Sequence, residues 1–310
     1  MDAEQIDEGA APSGLDDAAE EQASPIRSIL MATDLSARSD RPLERALQLA
    51  DQHRARLTIL HVFDENLPDQ VKDSVAAAAR EDIEHHIEKA APPADVDITI
   101  QVVPGKDYRD ILRAVAVTEA DLIVMGVHRN ESGLKPITGT TMERVIRKGS
   151  RAVLVVPDRV KGPYNRLMMG LDFSVYSRFA LRGALGMAPG AELHAVHAFK
   201  IPFETVQPGR EALLHAHQQE DKKLTAFIAE EFEAISAEAP GAVPDIESIQ
   251  KVVRHGETQA VLRAEAERIT PDLMVLGTHG RVGLSRAVLG SVAEKFLNRP
   301  VCDVLVIKAW

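Results

Sequence analysis

A glycine-rich loop near the C-terminus carries the residues best suited to chemistry in this sequence. Gly277, Gly280 and Gly283 lie within seven residues of each other, and glycine allows positive φ and close approach of the backbone to a ligand. Several amide N–H groups can therefore point at one anion. Gly290-Ser291 then opens a predicted helix, whose first turn has unpaired N–H donors and a partial positive charge. Together, the loop and the helix start predict a phosphate-binding site.

The glycine-rich loop follows a predicted buried strand. Residues 273–276 form an unbroken apolar run, which is typical of a parallel strand covered on both faces. The spacing Gly277-x2-Gly280-x9-Gly290-Ser291 then resembles the G-x2-G-x9-G-[S/T] motif of ATP-binding members of the universal stress protein family. It is not a Walker A loop, because no Gly-Lys-Ser/Thr follows, and it is not the G-x-G-x-x-G dinucleotide fingerprint. A tight strand-to-helix connection without a ligand is the alternative interpretation.

The resemblance implies that the second part of the chain binds an adenine nucleotide. An aspartate at the C-terminal end of a parallel strand, such as Asp172, can accept hydrogen bonds from a ribose hydroxyl or an adenine amino group. The alternative is that Asp172 and Ser174 only cap the following helix. His279 could donate to phosphate or pack within the loop. The residues expected at this nucleotide site are Asp172, Ser174, Ala198, Leu276, Gly277, His279, Gly280, Gly290, Ser291 and Val292.

The chain contains an internal repeat of about 140 residues. Residues 27–36 match residues 166–174, and residues 121–128 match residues 272–279. Within each repeat, short apolar runs alternate with longer helical patterns, which is typical of βαβ units with a parallel sheet. The prediction is an α/β protein of two tandem flavodoxin-like or Rossmann-like domains, each with a five-stranded parallel sheet flanked by helices. The family resemblance further implies that the two domains pair through their fifth strands.

The apolar runs and helical patterns give approximate bounds for these elements. Strands are expected near 26–32, 57–63, 97–103, 121–126 and 152–156 in the first repeat, and near 165–171, 191–198, 246–253, 272–277 and 302–307 in the second. Helices are expected near 40–54, 70–90, 107–118 and 139–149, and near 176–188, 206–238, 256–268 and 290–298. The start of the helix at 206–238 is left open, because Pro208-Gly209 can belong to a loop.

Composition divides the chain into four segments. Residues 1–24 hold eight acidic residues and no Lys or Arg, which predicts a disordered acidic tail. Residues 158–163 combine charge, Gly and Pro without apolar periodicity and form the expected linker. This linker separates an expected first domain at 25–157 from a second at 164–310. Of the net charge of −11, the chain after the tail keeps only about −3, which argues against a nucleic-acid binder with a basic stripe.

The first repeat departs from the glycine motif at one position. Its sequence is Gly126-x2-Arg129-x9-Gly139-Thr140, so Arg129 replaces the second glycine. A side chain there would hinder close approach of the backbone to phosphate, and Pro136 removes one more N–H donor. The first repeat is therefore either a degenerate site or a site in which Arg129 replaces the lost amide contacts. The residues it would use are Asp34, Val62, Gly126, Arg129, Gly139 and Thr140.

Several other classes of function have little support in the sequence. No apolar run approaches the roughly 20 residues that span a bilayer, and the N-terminus lacks the order of a signal peptide. We therefore expect a cytoplasmic protein that binds neither membrane nor nucleic acid. The single cysteine, Cys302, lies in an apolar run and is expected to be a small buried hydrophobe. No histidine pair has the spacing of a metal site, and no catalytic triad stands out, so we assign no catalytic and no metal-binding residue.

These observations predict a stress-response protein that binds ATP, with or without Mg²⁺, mainly in its second domain. It would act as a binding or signalling module rather than as an efficient enzyme. Two alternatives stay open. One is a slow Mg²⁺-dependent ATPase switch, in which the same site stabilises a transferring phosphoryl group, and the other is an interaction scaffold without nucleotide. The sequence also leaves open whether the chain forms a homodimer.

The substitution Gly280→Arg tests the glycine loop, because it copies into the second repeat the residue that the first repeat has at Arg129. We expect ATP affinity to fall by about tenfold or more while the fold is kept, since a bulky side chain removes amide contacts from a predicted surface loop. Isothermal titration calorimetry measures the affinity, and circular dichroism checks the fold. An unchanged affinity would remove this loop from the nucleotide site.

Overall fold

The computed structural model describes residues 26–36, 38–127, 140–201, 209–238, 245–278 and 289–308. The predicted acidic tail at 1–24 lies outside these ranges. No helix in the described ranges has the length and apolar character needed to cross a bilayer.

Strands and helices alternate along the chain in two equivalent halves. The first half comprises the strands β1 (Ser28–Thr33), β2 (Arg56–Asp64), β3 (Ile98–Gly105), β4 (Leu122–Gly126) and β5 (Ala152–Val156), with the helices α1 (Asp40–His53), α2 (Asp69–Ala90), α3 (Asp107–Val117) and α4 (Thr141–Lys148). The second half comprises the strands β6 (Arg166–Gly170), β7 (Glu192–Phe199), β8 (Gln250–His255), β9 (Leu273–Gly277) and β10 (Asp303–Ile307), with the helices α5 (Val175–Met187), α6 (Arg210–Glu238), α7 (Thr258–Ile269) and α8 (Ser291–Asn298).

One predicted strand of the second half begins at the wrong place. The expected strand at 246–253 is a short 3-10 helix, Ile246–Ser248, followed by β8 at Gln250–His255. The Asp245 side chain accepts a hydrogen bond from Glu247 N (3.0 Å). This local bond stabilises a turn where the sequence pattern favoured a strand.

The long helix α6 also begins later than expected. It starts at Arg210 and not at 206. Gly209 directly precedes the helix, which agrees with the loop alternative for that residue, and residues 202–208 lie outside the described ranges.

The ten strands of the described ranges form one sheet in the order β3-β2-β1-β4-β5-β10-β9-β6-β7-β8. Neighbouring strands are parallel within each half. At the centre, β5 and β10 are antiparallel, and Leu154 pairs with Leu305. Two five-stranded parallel sheets are therefore joined edge to edge, which confirms the predicted pairing through the fifth strands. Because the joining pair is antiparallel, the C-terminal strand ends of the two halves lie at opposite edges of the sheet.

Helices cover both faces of the sheet. Leu273 and Val275 of β9 face one hydrophobic cluster, and Met274 and Leu276 face the other. Burial on both faces explains the unbroken apolar run of this strand. α1, α2, α5 and α6 pack on the first face, and α3, α4, α7 and α8 pack on the second. The fold class predicted from the sequence is confirmed.

Equivalent aspartates anchor the first strand of each half. Asp121 Oδ2 accepts hydrogen bonds from Arg27 N (2.9 Å) and Ser28 N (3.1 Å) at the start of β1. Asp272 Oδ2 accepts an equivalent pair of bonds at the start of β6 (both 3.0 Å). The sequence repeat is therefore matched by repeated hydrogen bonds between the first and fourth strands.

A buried ion pair joins the two halves. Arg45 of α1 donates through Nε to Asp303 Oδ2 of β10 (3.0 Å), and both side chains are 6% exposed. The Tyr164 hydroxyl donates to the same oxygen (2.6 Å), and the Arg45 guanidinium lies 4.0 Å from the centre of the Tyr164 ring. Arg45 also donates to Gly162 O in the segment between the halves (2.9 Å). One carboxylate thus connects α1, β10 and the segment that links them.

A second contact between the halves lies at a helix end. Lys308, directly after β10, donates through Nζ to the carbonyl oxygens of Arg147 and Gly149 at the C-terminal end of α4 (2.8 and 2.6 Å). A cation at this position satisfies carbonyl groups that the helix leaves unpaired and complements the helix dipole. The C-terminal end of α4 therefore depends on a side chain from the other half.

The substitution Arg45→Gln tests the buried ion pair. It leaves the Asp303 carboxylate buried without its counter-ion, so we expect the free energy of unfolding near neutral pH to fall by about 3 to 5 kcal/mol. Asp158→Asn is the control, because the Asp158 side chain is 74% exposed and lies 3.6 Å from Arg41, where we expect little change. Urea unfolding followed by circular dichroism measures both variants. Equal effects would show that the buried pair contributes no special stability.

The same carboxyl group predicts a pH dependence of stability. Burial raises the pKa of Asp303 to about 6 in the folded protein, whereas an aspartate in an unfolded chain has a pKa of about 3.9. Between pH 4 and pH 6, the Asp303 carboxyl group is therefore protonated in the folded state and deprotonated in the unfolded state. The contribution of this group to the free energy of unfolding therefore falls as the pH rises from about 4 to about 6. The difference in stability between the wild type and Asp303→Asn should change over this range, and a constant difference would contradict the raised pKa.

Candidate functional site

A tight turn after β6 fixes the position of Asp172. The next residue, Phe173, has a left-handed backbone (φ 65°). Asp172 Oδ1 accepts hydrogen bonds from Ser174 N (3.1 Å) and from Ser177 Oγ (2.6 Å), and Asp172 N donates to Ser177 Oγ (2.9 Å). The carboxylate is therefore held at the C-terminal end of the strand by the first turn of α5.

The first half has the same turn after β1. Leu35 is left-handed (φ 55°), and Asp34 Oδ1 accepts hydrogen bonds from Ser36 N (3.0 Å) and Ser39 Oγ (3.1 Å). The shared pattern is Asp-x-Ser-x2-Ser. Sequence reasoning missed its second serine, which is Ser39 here and Ser177 in the second half, although the identical spacing in both repeats was an available signal.

Ser174 has the capping role that was the alternative to ligand binding. It is the N-cap of α5, and its Oγ accepts a hydrogen bond from Ser177 N (3.3 Å). The turn is thus stabilised by its own side chains. A ligand at this edge of the sheet would meet a carboxylate that is already oriented.

At the end of β9, two backbone segments come unusually close. A Cβ built on Gly277 would lie 2.7 Å from Tyr176 Cβ and 3.2 Å from the Tyr176 carbonyl oxygen. Only glycine allows α5 to approach the strand this closely. The preceding Leu276 is 3% exposed and belongs to the hydrophobic cluster under α7 and α8. Gly277 therefore positions α5, and Leu276 is part of the core.

The start of α8 is tied to the end of β9. Gly290 N donates to Thr278 O (2.7 Å), and Thr278 N donates to Ile307 O of β10 (2.9 Å). Gly290 is the N-cap residue, the helix begins at the exposed Ser291, and no side chain of the described residues caps it. Because β9 and β6 are parallel neighbours, this helix start lies at the same sheet edge as Asp172. It presents N–H donors and a serine hydroxyl there.

The equivalent helix of the first half begins differently. Thr140 is the N-cap of α4, and its Oγ1 accepts a hydrogen bond from Glu143 N (3.2 Å). In return, Glu143 Oε2 accepts one from Thr140 N (3.1 Å), which completes a capping box. Glu143 is 6% exposed, so a buried carboxylate occupies this helix start. Glu294 has the equivalent position in α8, but it forms no such cap.

The end of β7 is held by a histidine. Ala198 is half-buried near this end. The preceding His197 has its Nδ1 2.7 Å from Leu171 O, and its ring centroid lies 4.3 Å from that of Phe173. His61 has the equivalent contact with β1 in the first half (3.0 Å). These backbone contacts give the two histidines a structural role at the ends of their strands.

The other predicted site residues differ in how far they are described. His279, Gly280, Arg129 and Gly139 lie outside the described ranges. Val292 is half-buried against the core, Val62 lies in β2, and Gly126 ends β4. The structure brings together, at one edge of the second half, Asp172, Ser174, Gly277, Gly290 and Ser291.

The chemistry of this edge combines one acceptor with a group of donors. The Asp172 carboxylate can accept from hydroxyl or amino groups, and the start of α8 can donate to an oxyanion.

In the described part of the chain, no three His, Cys, Asp or Glu side chains are placed to hold a metal ion. Burial raises the pKa of the Cys302 thiol to about 12, so this cysteine is protonated and unreactive at neutral pH.

Comparison with known proteins now decides the family. The sequence profile of the universal stress protein family matches the chain twice, at residues 25–157 and 163–308. The chain belongs to the universal stress protein family. The resemblance found in the glycine motif is therefore confirmed, and the double match agrees with the tandem arrangement of the two halves.

Individual universal stress proteins resemble this chain over different lengths. One from Mycolicibacterium smegmatis is 25% identical over 296 residues, which cover 90% of this chain and 96% of that protein. One from Methanocaldococcus jannaschii is 30% identical over 154 residues, which cover 47% of this chain and 82% of that protein. A solved universal stress protein structure from Archaeoglobus fulgidus has a TM-score of 0.63 at 20% identity, covering 91% of this chain and 96% of that chain. The structural likeness establishes a shared fold.

The substitution Glu143→Ala tests the difference between the two helix starts. It removes half of the capping box of α4, so we expect the free energy of unfolding to fall by about 0.5 to 2 kcal/mol. Glu294→Ala is the matched control, because α8 has no side-chain cap to lose. Urea unfolding compares the two, and a larger effect of Glu294→Ala would contradict the assignment of the caps.

Proposed function

We propose that this universal stress protein binds one molecule of ATP at the C-terminal edge of its second half and acts as a nucleotide-dependent binding or signalling module in the stress response. The observation that carries the proposal is the uncapped start of α8 at the same sheet edge as the fixed carboxylate of Asp172. The two features are complementary to the two ends of a nucleotide.

The phosphate end of the nucleotide is assigned to α8. The hydrogen bonds from Gly290 to Thr278 and from Thr278 to Ile307 hold the helix start against β9 and β10. The first turn can therefore donate N–H groups, and the Ser291 hydroxyl can add a further bond to an oxyanion. This helix start is also the G-[S/T] part of the motif that resembles ATP-binding members of the family. Mg²⁺ would enter with the triphosphate and be held mainly by phosphate oxygens.

The nucleoside end is assigned to the crevice at Asp172. The strand order of the second half reverses between β6 and β9, and an α/β sheet binds ligands at such a switch point. Asp172 is fixed there by Ser174 and Ser177. Its carboxylate would accept hydrogen bonds from ribose hydroxyls or from the adenine amino group.

The first half is not assigned a nucleotide, although it retains the equivalent aspartate turn. The Glu143 carboxylate already accepts the hydrogen bond from Thr140 N at the start of α4. A phosphate at this helix start would meet a buried negative charge, and repulsion between like charges at short range opposes binding. We therefore infer one ATP site per chain.

Titration of the intact chain with ATP tests this proposal by its stoichiometry and by two matched variants. We expect one site per chain, and Asp172→Ala should weaken binding about tenfold to a hundredfold, because one or two hydrogen bonds to a charged group are lost. Asp34→Ala is the control, since it removes the same turn residue from the first half. Isothermal titration calorimetry measures both quantities.

Three outcomes would contradict the proposal. A stoichiometry of two would place a nucleotide in the first half as well. A larger effect of Asp34→Ala than of Asp172→Ala would move the site to that half. No heat of binding with ATP at millimolar concentration would favour a scaffold without nucleotide.

A further inference from the structure

The contact of β5 and α1 with β10 and α5, called the junction below, has different residues at equivalent positions of the two halves. Counted from the aspartate turns, Gly183 of α5 is equivalent to Arg45 of α1. Ala152 begins β5, and the equivalent residue that begins β10 is Asp303. One side of the junction therefore has the buried ion pair, and the other side has a glycine and an alanine at the same two positions.

The side of the junction without the ion pair has no room for a long side chain on α5. A Cβ built on Gly183 would lie 1.9 Å from Ile307 Cδ1, and Ile307 is 5% exposed. An arginine at this position would have to displace a buried side chain from a close-packed core. The difference between the two sides is therefore fixed by packing as well as by charge.

A second difference lies directly after the fifth strands. Lys308 follows β10 and donates to the Arg147 and Gly149 carbonyl oxygens at the end of α4. Pro157 follows β5 at the equivalent position, and a proline side chain has no hydrogen-bond donor. The end of α4 is thus completed only by a partner that carries a cation after its fifth strand.

A pair of first halves, joined in the same antiparallel register, would lack both contacts. Its two-fold symmetry would place an alanine opposite each Arg45, whose Nε now donates to Asp303. Arginine cannot lose its charge in a protein, so two guanidinium groups would stay buried without a counter-ion. Both copies of α4 would also end without the lysine. This arrangement is therefore less stable than the observed one.

A pair of second halves would have the opposite defect. It would place a glycine opposite each Asp303, and two carboxylates would be buried without the guanidinium that now lies 3.0 Å away. Burying an unpaired carboxylate carries a large desolvation cost. Only the pairing of unlike halves gives each buried charge a partner.

We propose that the β5 face of the first half is a recognition surface for one kind of partner, a domain whose antiparallel fifth strand begins with a buried carboxylate and is followed by a lysine. The second half of this chain has both features in Asp303 and Lys308. A copy of the first half has neither feature. The junction thereby excludes like halves, and it rejects domains of the same fold whose fifth strand is uncharged. This inference is independent of ATP binding.

The full-length chain can be given the contact of a like pair. Arg45→Gly places a glycine opposite Asp303, as in a pair of second halves, and should raise the unfolding equilibrium constant at pH 8 by about a hundredfold or more. Arg45→Gly/Asp303→Ala copies the neutral residues of the other side of the junction. Because it removes the unpaired carboxylate, the double variant should be more stable than Arg45→Gly. Urea unfolding measures both, and a double variant less stable than the single one overturns the proposal.

The choice of partner is measured on the full-length protein with a protease site inserted at the exposed Lys161 and cleaved after folding. Cleaved proteins with and without an isotope label are mixed, passed through urea and returned by dilution. Native mass spectrometry then counts the pairs, and mixing of the label shows that the halves have exchanged. We expect every pair to contain one first half and one second half.

Two variants give this measurement its comparison. Cleaved Arg45→Gly/Asp303→Ala should form like pairs beside unlike ones, because no pair then leaves a buried charge at the junction. Asp158→Asn is the control, since its side chain is 74% exposed, and it should form only unlike pairs. Like pairs in the cleaved wild type, halves that stay single, or only unlike pairs in the double variant would each overturn the proposal.

Discussion

The antiparallel pairing of β5 with β10 is the constraint on which the rest of this structure depends. Each half alone would expose the edge of its fifth strand, and an unpaired apolar edge is a site of aggregation. Pairing Leu154 with Leu305 removes both edges and makes one sheet of ten strands. The pairing also directs the C-terminal strand ends of the two halves to opposite edges. The aspartate turns that follow β1 and β6 therefore lie at opposite edges of the sheet and cannot share one cleft.

The two halves share a scaffold but differ in the charge at their helix starts. Both keep the turn in which an aspartate is bound by two serines, and both keep a helix start after the fourth strand. In α4 that start is occupied by Glu143, whereas in α8 it is left to Gly290 and Ser291. A carboxylate bound at a helix start opposes an anion there, whereas a helix start without a side-chain cap favours one. The two halves therefore differ in local charge although they share one fold.

Much of the fold and part of the site could be predicted from the sequence, because they depend on local patterns. Apolar runs bounded by turn residues placed the strands, and the internal repeat implied two equivalent domains. The strand expected at 246–253 was displaced because a local hydrogen bond from Glu247 N to Asp245 stabilised a turn that apolar content does not reveal. Ser177 was missed because its hydrogen bonds with Asp172 belong to a turn whose sequence pattern was not recognised as a motif. Leu276 was assigned to the ligand by resemblance, but its burial shows that it also packs in the core.

The sequence by itself determined the family, the number of strands in each half and the glycine spacing from which a phosphate site is predicted, since each of these depends on the order of residues along the chain. Only the tertiary structure decided which helix start carries its own cap, because Glu143 and Glu294 occupy equivalent positions in the sequence. The tertiary structure alone also revealed the buried pair of Arg45 with Asp303. These groups come from distant parts of the chain or depend on side-chain direction, and a charge acquires its effect only from the distance and the burial that folding gives it.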